Sequence, residues 1–199
     1  MNKAYTSRRP FRCNVLDVEA SGLGSSSFPI EVGVVLSDGT EYQATLKPAP
    51  DWQHWSKEAE DMHGLTREYL EANGQCIRKV CSELNTLCRN ETLYTDCWVY
   101  DLPWILKLFE QAGMYPAFKC MPIESVLTEQ QISHWVNHKS RVAASFNVRP
   151  HRALNDARII AKTLKKLRRQ NEINRLKKRR LFQQAMQEHS EAGNPQYIS

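Results

Sequence analysis

Apolar runs separated by turn-forming residues dominate the first part of the chain. The run at 12–18 predicts a buried first strand, and the run at 30–36 predicts a second. Between 36 and 41 an Asp-Gly pair predicts a tight hairpin into a third strand at 41–46. The chain therefore begins with three consecutive strands.

Helical spacing of apolar residues becomes prominent later in the chain. From 77 to 88 the apolar positions recur every three or four residues, which predicts an amphipathic helix. Asp101 followed by Pro103 predicts the start of another helix, with the acid as its N-cap and the proline just inside. The other predicted elements are short helical pieces within 51–75, strands at 92–96 and 118–121, a helix over 123–138 and a last helix after Pro150.

The resulting order β-β-β-α-β-α-β-α-α predicts the α/β class, as a mixed five-stranded sheet flanked by helices. In such sheets, ligands bind beyond the carboxyl ends of the parallel strands. We therefore expect a functional site beyond the first strand.

Composition favours a globular protein without a membrane span. Of the 199 residues, 41% are hydrophobic and 25% are charged, and no apolar run approaches the roughly 18 residues that cross a bilayer. The basic N-terminus lacks the apolar stretch of a secretory signal. Six cysteines show no metal-type C-x-x-C spacing, and Cys81 and Cys88 share an apolar helix face, so we expect buried, reduced thiols and a cytoplasmic location.

The net charge of +5 is distributed unevenly. Residues 162–180 hold ten lysines and arginines and one glutamate, a net +9, which leaves −4 for the rest of the chain. This distribution indicates an acidic body with a cationic segment for a polyanion, although a solvated helix face would show the same pattern. We predict a basic extension at 1–11, a domain at 12–169, and a basic helical extension with a polar tail at 170–199.

Four acids and one histidine form the most informative pattern. Asp17 and Glu19 are two apart in a predicted strand, so both carboxylates point the same way. Asp101 opens a predicted helix, and His151 and Asp156 stand where the last helix should begin. Four such carboxylates could bind two divalent metals while the imidazole activates water, a combination suited to phosphodiester hydrolysis.

Three motifs carry a resemblance to a known family. Residues 17–23 read Asp-Val-Glu-Ala-Ser-Gly-Leu and resemble the first motif of DnaQ-like 3′–5′ exonucleases, Asp-x-Glu-x-Thr-Gly-Leu or Met. Residues 62–66, Met-His-Gly-Leu-Thr, resemble the family's His-Gly-Ile-Thr segment. Asp101 matches the second-motif aspartate, and His151 with Asp156 matches the third motif of the histidine branch, DEDDh. The tyrosine branch would have a tyrosine where this chain has Arg152.

This resemblance implies a ribonuclease H-like fold and specific roles for the acids. Asp17 would bridge two cations, Mg²⁺ or Mn²⁺, while Glu19 and Asp156 bind one of them and Asp101 acts on the other. His151 would be the general base. The resemblance also implies contacts with the 3′-terminal nucleotide from four residues: Ala20, Ser21, Leu23 and His63. For His63 a structural role at the end of a short helix stays open.

The second motif departs from the family pattern. Many relatives have His-Asn-x-x-Phe-Asp, whereas residues 95–101 read Thr-Asp-Cys-Trp-Val-Tyr-Asp, so Asp96 competes with Asp101 for the ligand position. Relatives place the ligand at the helix start, which favours Asp101. Asp96 would then support the site without binding metal.

The predicted function is a metal-dependent 3′–5′ exonuclease that releases nucleoside monophosphates from single-stranded DNA or RNA ends. Two alternatives are left open: a non-catalytic nucleic-acid-binding protein on this fold, and a proofreading or processing subunit that docks through its C-terminal tail. Neither the choice between DNA and RNA nor the assembly, as a homodimer or within a larger nucleic-acid-processing complex, follows from the sequence.

Overall fold

The computed structural model describes residues 12–192, so the predicted extension at 1–11 and the last seven residues of the tail lie outside the described part. The strands are β1 (Asn14–Ala20), β2 (Pro29–Val35), β3 (Glu41–Thr45), β4 (Thr92–Thr95) and β5 (Lys119–Pro122). The helices are α1 (Lys57–His63), α2 (Arg67–Asn73), α3 (Ile77–Leu87), α4 (Trp98–Gln111), α5 (Glu129–Ser133), α6 (Trp135–Ala143) and α7 (Ala153–Ala192), with a 3₁₀ helix at Ile123–Val126.

The five strands form one mixed sheet in the order β3-β2-β1-β4-β5. β1 pairs antiparallel with β2, and β2 antiparallel with β3, whereas β4 runs parallel to both β1 and β5. The predicted mixed five-stranded sheet is confirmed. Because β1 and β4 are parallel neighbours, their carboxyl ends meet at one edge, which brings the first two motifs together.

The start of α4 differs from the prediction. The helix begins at Trp98, so Asp101 is its fourth residue and not its N-cap, and Pro103 lies inside the helix. The amides of Tyr100 and Asp101 donate to the Cys97 carbonyl at 2.9 and 3.0 Å, which closes a helical turn before the proline. The prediction placed Pro103 in the first turn of the helix, but it is the sixth helical residue, where a proline removes one intrahelical donor.

The single helix predicted over 123–138 is also wrong. This part of the chain forms the 3₁₀ helix and two short helices, α5 and α6. Leu127 is extended, and the Thr128 hydroxyl and the Gln131 side chain bond reciprocally to each other's backbone amides. Such a capping box starts a new helix. The Thr128 capping box thus starts α5, and α6 follows after His134.

The last helix begins close to the sheet at Gly33. A Cβ added to this β2 residue would lie 2.3 Å from the backbone of Ala153 and Leu154, so the start of α7 passes directly over the glycine. Asp17 is the β1 partner of Gly33. The third motif therefore reaches the first motif over a residue without a side chain.

The structure divides into two compact units, one up to Thr163 and one from Leu164 onward. The first holds the sheet, whose inner face packs against α3 and α4, and Cys81 and Cys88 are free, buried thiols there. The second consists of the later part of α7, with exposed side chains at 172–187. Within residues 12–192, none of the helices is both long and apolar enough to span a bilayer.

Candidate active site

β1 supplies the first two carboxylates. Asp17 is buried and Glu19 is partly buried on the same side of the strand. The pairing register with β2 shifts between Glu19 and Ala20, an irregularity typical of strand ends beside functional sites. The apolar neighbours Leu16 and Val18 are buried in the core, which fixes the direction of the acids.

The second motif supplies Asp101 from the first turn of α4. Its side chain is 1% exposed, and the Thr95 hydroxyl at the end of β4 donates to Oδ2 of Asp101. The backbone of Val18 also bonds to this carboxylate. Asp101 is thus held against β1 and β4 at their shared edge.

Asp96 has different partners. Its Oδ2 accepts from the Trp135 indole N–H at 2.9 Å and from the Lys139 ammonium at 2.7 Å, both on α6. The Asp96 side chain is 8% exposed and links the end of β4 to that helix.

His151 and Asp156 are linked directly at the start of α7. The His151 backbone N–H donates to Oδ2 of Asp156 at 3.0 Å. His151 has φ +55°, the left-handed region that non-glycine residues seldom adopt and that recurs at functional sites. The carboxylate therefore holds the histidine in an uncommon backbone conformation beside itself.

Residues from distant parts of the chain converge here. One potential ligand atom from each of Glu19, His151 and Asp156 lies within 4.8 Å of the other two. Asp17 and Asp101 belong to the same electrostatic cluster, because the charge of Asp101 is the strongest carboxylate influence on Asp17. All five residues predicted for catalysis are thus brought together.

Burial and mutual repulsion raise the pKa of each carboxylate. Burial and the charges of Asp101, Glu19 and Asp156 raise the pKa of Asp17. Burial, followed by Asp156, raises the pKa of Glu19 to about 8. Burial raises the pKa of Asp101 to about 7 and also raises that of Asp156, although Lys139 lowers both. Without cations, this cluster would hold protons near neutral pH.

A buried ion pair fixes the start of α7. Glu31 of β2 is fully buried. Its carboxylate accepts hydrogen bonds from the Arg152 guanidinium at 2.6–3.2 Å, the Gln43 side-chain amide at 2.7 Å and the Ala153 backbone N–H at 2.9 Å. These bonds clamp the residue that follows His151. The sequence analysis did not predict this ion pair. Glu31 is a charged residue inside the apolar run at 30–36, which indicates a buried carboxylate that needs a partner.

A cavity of about 430 Å³ opens beside Glu19. Ala20 and Leu23 line it, and the Leu23 side chain is 71% exposed. Its other lining residues come from the end of β1, the loop before α1, α1 itself and α4: Val18, Glu19, Gly22, His54, Ser56, Glu58, Ala59, Met62, His63 and Trp104. A volume of this size is typical of small-molecule sites.

His63 is a buried residue in the wall of the cavity. Its Nδ1 accepts from the Leu65 backbone N–H at 3.0 Å, which leaves the proton of the neutral ring on Nε2. Burial lowers the pKa of His63 and so favours the neutral ring. Within the described residues, Nε2 is a buried side-chain atom without a hydrogen-bond partner. Such a donor needs an acceptor.

Ser21 lies behind the cavity wall. Its backbone N–H and C=O bond to Phe28 and Ser56 at 2.9 and 2.8 Å, and its hydroxyl bonds to the Phe28 amide at 3.1 Å and lies 3.3 Å from the His54 ring. These contacts tie the loop after β1 to the loop before α1. Direct substrate contact by Ser21 stays a prediction.

Comparison with family models gives no match, and neither does comparison with curated sequences. Among solved structures, the chain is similar to the zinc-bound complex of Escherichia coli exonuclease I with single-stranded DNA (TM-score 0.61, 14% identity, 77% of this chain and 39% of that one). It is also similar to the same enzyme with a dT13 oligonucleotide (TM-score 0.62, 13% identity, 82% and 42%). An exonuclease I from Methylocaldum szegediense gives a TM-score of 0.55 at 13% identity, over 77% and 40%.

The chain spans about two fifths of the length of these exonucleases. At this low identity, the likeness concerns the fold. Together with the strand order, it confirms the ribonuclease H-like sheet flanked by helices.

Proposed function

We propose that this protein is a metal-dependent 3′–5′ exonuclease of the DEDDh type that acts on single-stranded nucleic acid. The observation that carries the proposal is the convergence of Glu19, His151 and Asp156 within 4.8 Å, together with two more buried aspartates in the same cluster. A cluster of this composition is costly unless cations neutralise it.

The donor set fits two hard divalent cations. Carboxylate oxygens suit Mg²⁺ or Mn²⁺ better than softer metals. Asp17, Glu19, Asp101 and Asp156 would hold the ions, and we assign the second-motif role to Asp101 because Asp96 is engaged by Trp135 and Lys139. Bound cations would neutralise negative charge on the attacking and leaving oxygens.

The protein residues have separate tasks in the proposed hydrolysis. His151 accepts a proton from the attacking water as its oxygen bonds to phosphorus. The bond from phosphorus to the 3′-oxygen of the penultimate nucleotide breaks, and that oxygen takes up a proton from solvent water. Nucleoside monophosphate and a shortened strand are the products. The Asp156 bond to the His151 amide supports this role by holding the imidazole beside the cluster.

The cavity beside Glu19 is the proposed site of the 3′-terminal nucleoside. Exposed Leu23 and Met62 offer apolar surface to a base, and the His63 Nε2–H offers a donor to a base or sugar oxygen. Ala20 adjoins the sugar, and Ser21 supports the loop. The backbone of this loop would place the 3′-hydroxyl.

The substrate class rests on two further observations. Two of the exonuclease I structures similar to this chain hold single-stranded DNA, one of them a dT13 oligonucleotide, and we extend that ligand class to this cavity. The basic side chains at 175–180 would add affinity through phosphates without reading sequence. Both DNA and RNA stay within the proposal, as does the cytoplasmic location suggested by the cysteines.

The test is digestion of matched, 3′-end-defined single-stranded RNA and DNA with Mg²⁺ or Mn²⁺, with product lengths read at single-nucleotide resolution. We expect a ladder from the 3′ end that EDTA abolishes. Asp17→Asn and Asp156→Asn should abolish cleavage while the protein still binds oligonucleotide, and exposed Asp61→Asn serves as the control. Binding without cleavage by the wild type would favour the non-catalytic alternative, and full cleavage by Asp17→Asn would exclude the proposed mechanism.

A further inference from the structure

Lys139 is a cation beside the acidic cluster that the proposed hydrolysis does not use. It lies on α6, and its Nζ is 2.7 Å from Oδ2 of Asp96. The Lys139 side chain is 33% exposed, whereas that of Asp96 is 8% exposed. The lysine therefore reaches from a partly open position to a buried anchor at the end of β4.

Trp135, one helical turn before Lys139, donates to the same carboxylate oxygen at 2.9 Å. The Trp135 ring is buried, so its bond holds the Asp96 carboxylate in place and also fixes which side of α6 faces Asp96. The indole bond joins the helix to Asp96 at the end of β4. The Lys139 ammonium adds a positive charge beside Asp96.

The charge of Lys139 acts on the carboxylates proposed to hold cations. Burial opposes its charged form, but Asp96, Asp17 and Asp156 together raise the pKa of Lys139. In return, Lys139 lowers the pKa of Asp156 and of Asp101. An ammonium has three N–H groups, and the bond to Asp96 uses one of them.

Resting on the proposed function, we propose that Lys139 binds a nonbridging oxygen of the 3′-terminal phosphodiester of the substrate strand, with Asp96 and Trp135 holding the ammonium in place. A lysine binds phosphate as a point charge, without reading bases. Lys139 bonds to Asp96, whose neighbour Thr95 bonds to Asp101, so the ammonium lies at the end of β4 next to the proposed cation ligands, where the scissile phosphate of the substrate would carry negative charge. Asp96 is then a positioning residue.

The experiment compares two single-stranded oligonucleotides by fluorescence anisotropy in Ca²⁺, with a gel to verify that no product forms. One has only natural linkages, and the other carries a neutral methylphosphonate at the 3′-terminal linkage. We expect Lys139→Ala to weaken binding of the natural strand about tenfold, as expected for the loss of a charge-assisted hydrogen bond. On the methylphosphonate strand the same substitution should change the Kd less than about twofold, because the contacted charge is already missing.

Three variants complete the design. Lys139→Arg should keep most of the affinity, and Asp96→Asn should lose part of it, with the same dependence on the methylphosphonate. Lys79→Ala, an exposed lysine on α3, is the matched control and should bind both strands as the wild type does. A melting temperature well above the assay temperature verifies the folding of Lys139→Ala, in which Asp96 keeps its bond to the Trp135 indole.

An equal loss on both strands, or no loss on the natural strand, would overturn the phosphate contact. Failure of the underlying exonuclease proposal has a separate signature. In that case the wild type itself would bind both strands equally and would not shorten the natural one in Mg²⁺ or Mn²⁺.

Discussion

Replacing Glu19 with glutamine should stabilise the cation-free protein at alkaline pH. Burial, then the charges of Asp156 and Glu31, raise the pKa of Glu19 from 4.5 to about 8 in the folded protein. Between these values the carboxyl is protonated when folded and ionised when unfolded, so stability falls as pH rises through this window. Ionisation of Glu19 therefore lowers the free energy of unfolding by its full amount above about pH 8 and by nothing below pH 4.5. Glutamine cannot ionise and removes this destabilisation.

The size of the effect follows from the same pKa values. At about 1.4 kcal/mol per pH unit, the difference between 4.5 and about 8 corresponds to at most about 5 kcal/mol. Water in the open cleft and sharing of protons with Asp17 reduce this value. We expect about 2 kcal/mol, or about 4–8 °C in melting temperature for a domain of this size.

The assay is thermal and urea denaturation followed by tryptophan fluorescence in EDTA, at about pH 5 and about pH 9. Glu19→Gln should match the wild type at the lower pH and exceed it at the higher one. Excess Mg²⁺ should stabilise the wild type at alkaline pH and the variant much less. Glu110→Gln, an exposed carboxylate on α4, is the control. Equal differences at both pH values, or a less stable Glu19→Gln at high pH, would refute the reasoning.

Three further substitutions test other parts of the structure. Arg152→Met should cost about 3 kcal/mol in urea denaturation because it leaves Glu31 buried without its cation, and adding Glu31→Gln should restore much of that loss. His63→Asn keeps an acceptor for the Leu65 amide but removes Nε2. KM should therefore rise about tenfold with little change in melting temperature. A large fall in melting temperature with unchanged KM would indicate a structural role for His63. Glutamine at all four positions 177–180 should lower the slope of log Kd against log salt by up to about 3, measured by salt titration, with kcat unchanged; an unchanged slope would exclude this segment from binding.

The sheet could be predicted because each strand carries its own signal. Apolar runs and turn residues locate β1, β2 and β3, and these signals do not depend on distant contacts. The helix predicted over 123–138 failed because the capping box of Thr128 and Gln131 outweighs the continuing apolar pattern. Thr-x-x-Gln was visible in the sequence, so this error was avoidable.

The acidic cluster could be predicted as residue types, but its surroundings could not. The spacing of Asp17 and Glu19 within a strand predicts that both carboxylates point to the same side. Lys139 gives no such signal, because its meaning depends on Asp96, 43 residues earlier. The same holds for Arg152 and Glu31, which are separated by 121 residues. Pairings at such distances arise from the fold and not from local pattern.

Gly33 acts as a spacer of minimal width between the first and third motifs. The α7 backbone passes so close to it that one added methyl group would push the start of this helix outward. His151 and Asp156 would move away from Asp17 with it, and a displacement of about 1 Å between reacting groups can lower a rate about a hundredfold. A variant could thus keep every acid, the imidazole and the sheet, and still be nearly inactive. The distance between the proposed catalytic groups on β1 and at the start of α7 is therefore set in part by Gly33, a residue without a side chain.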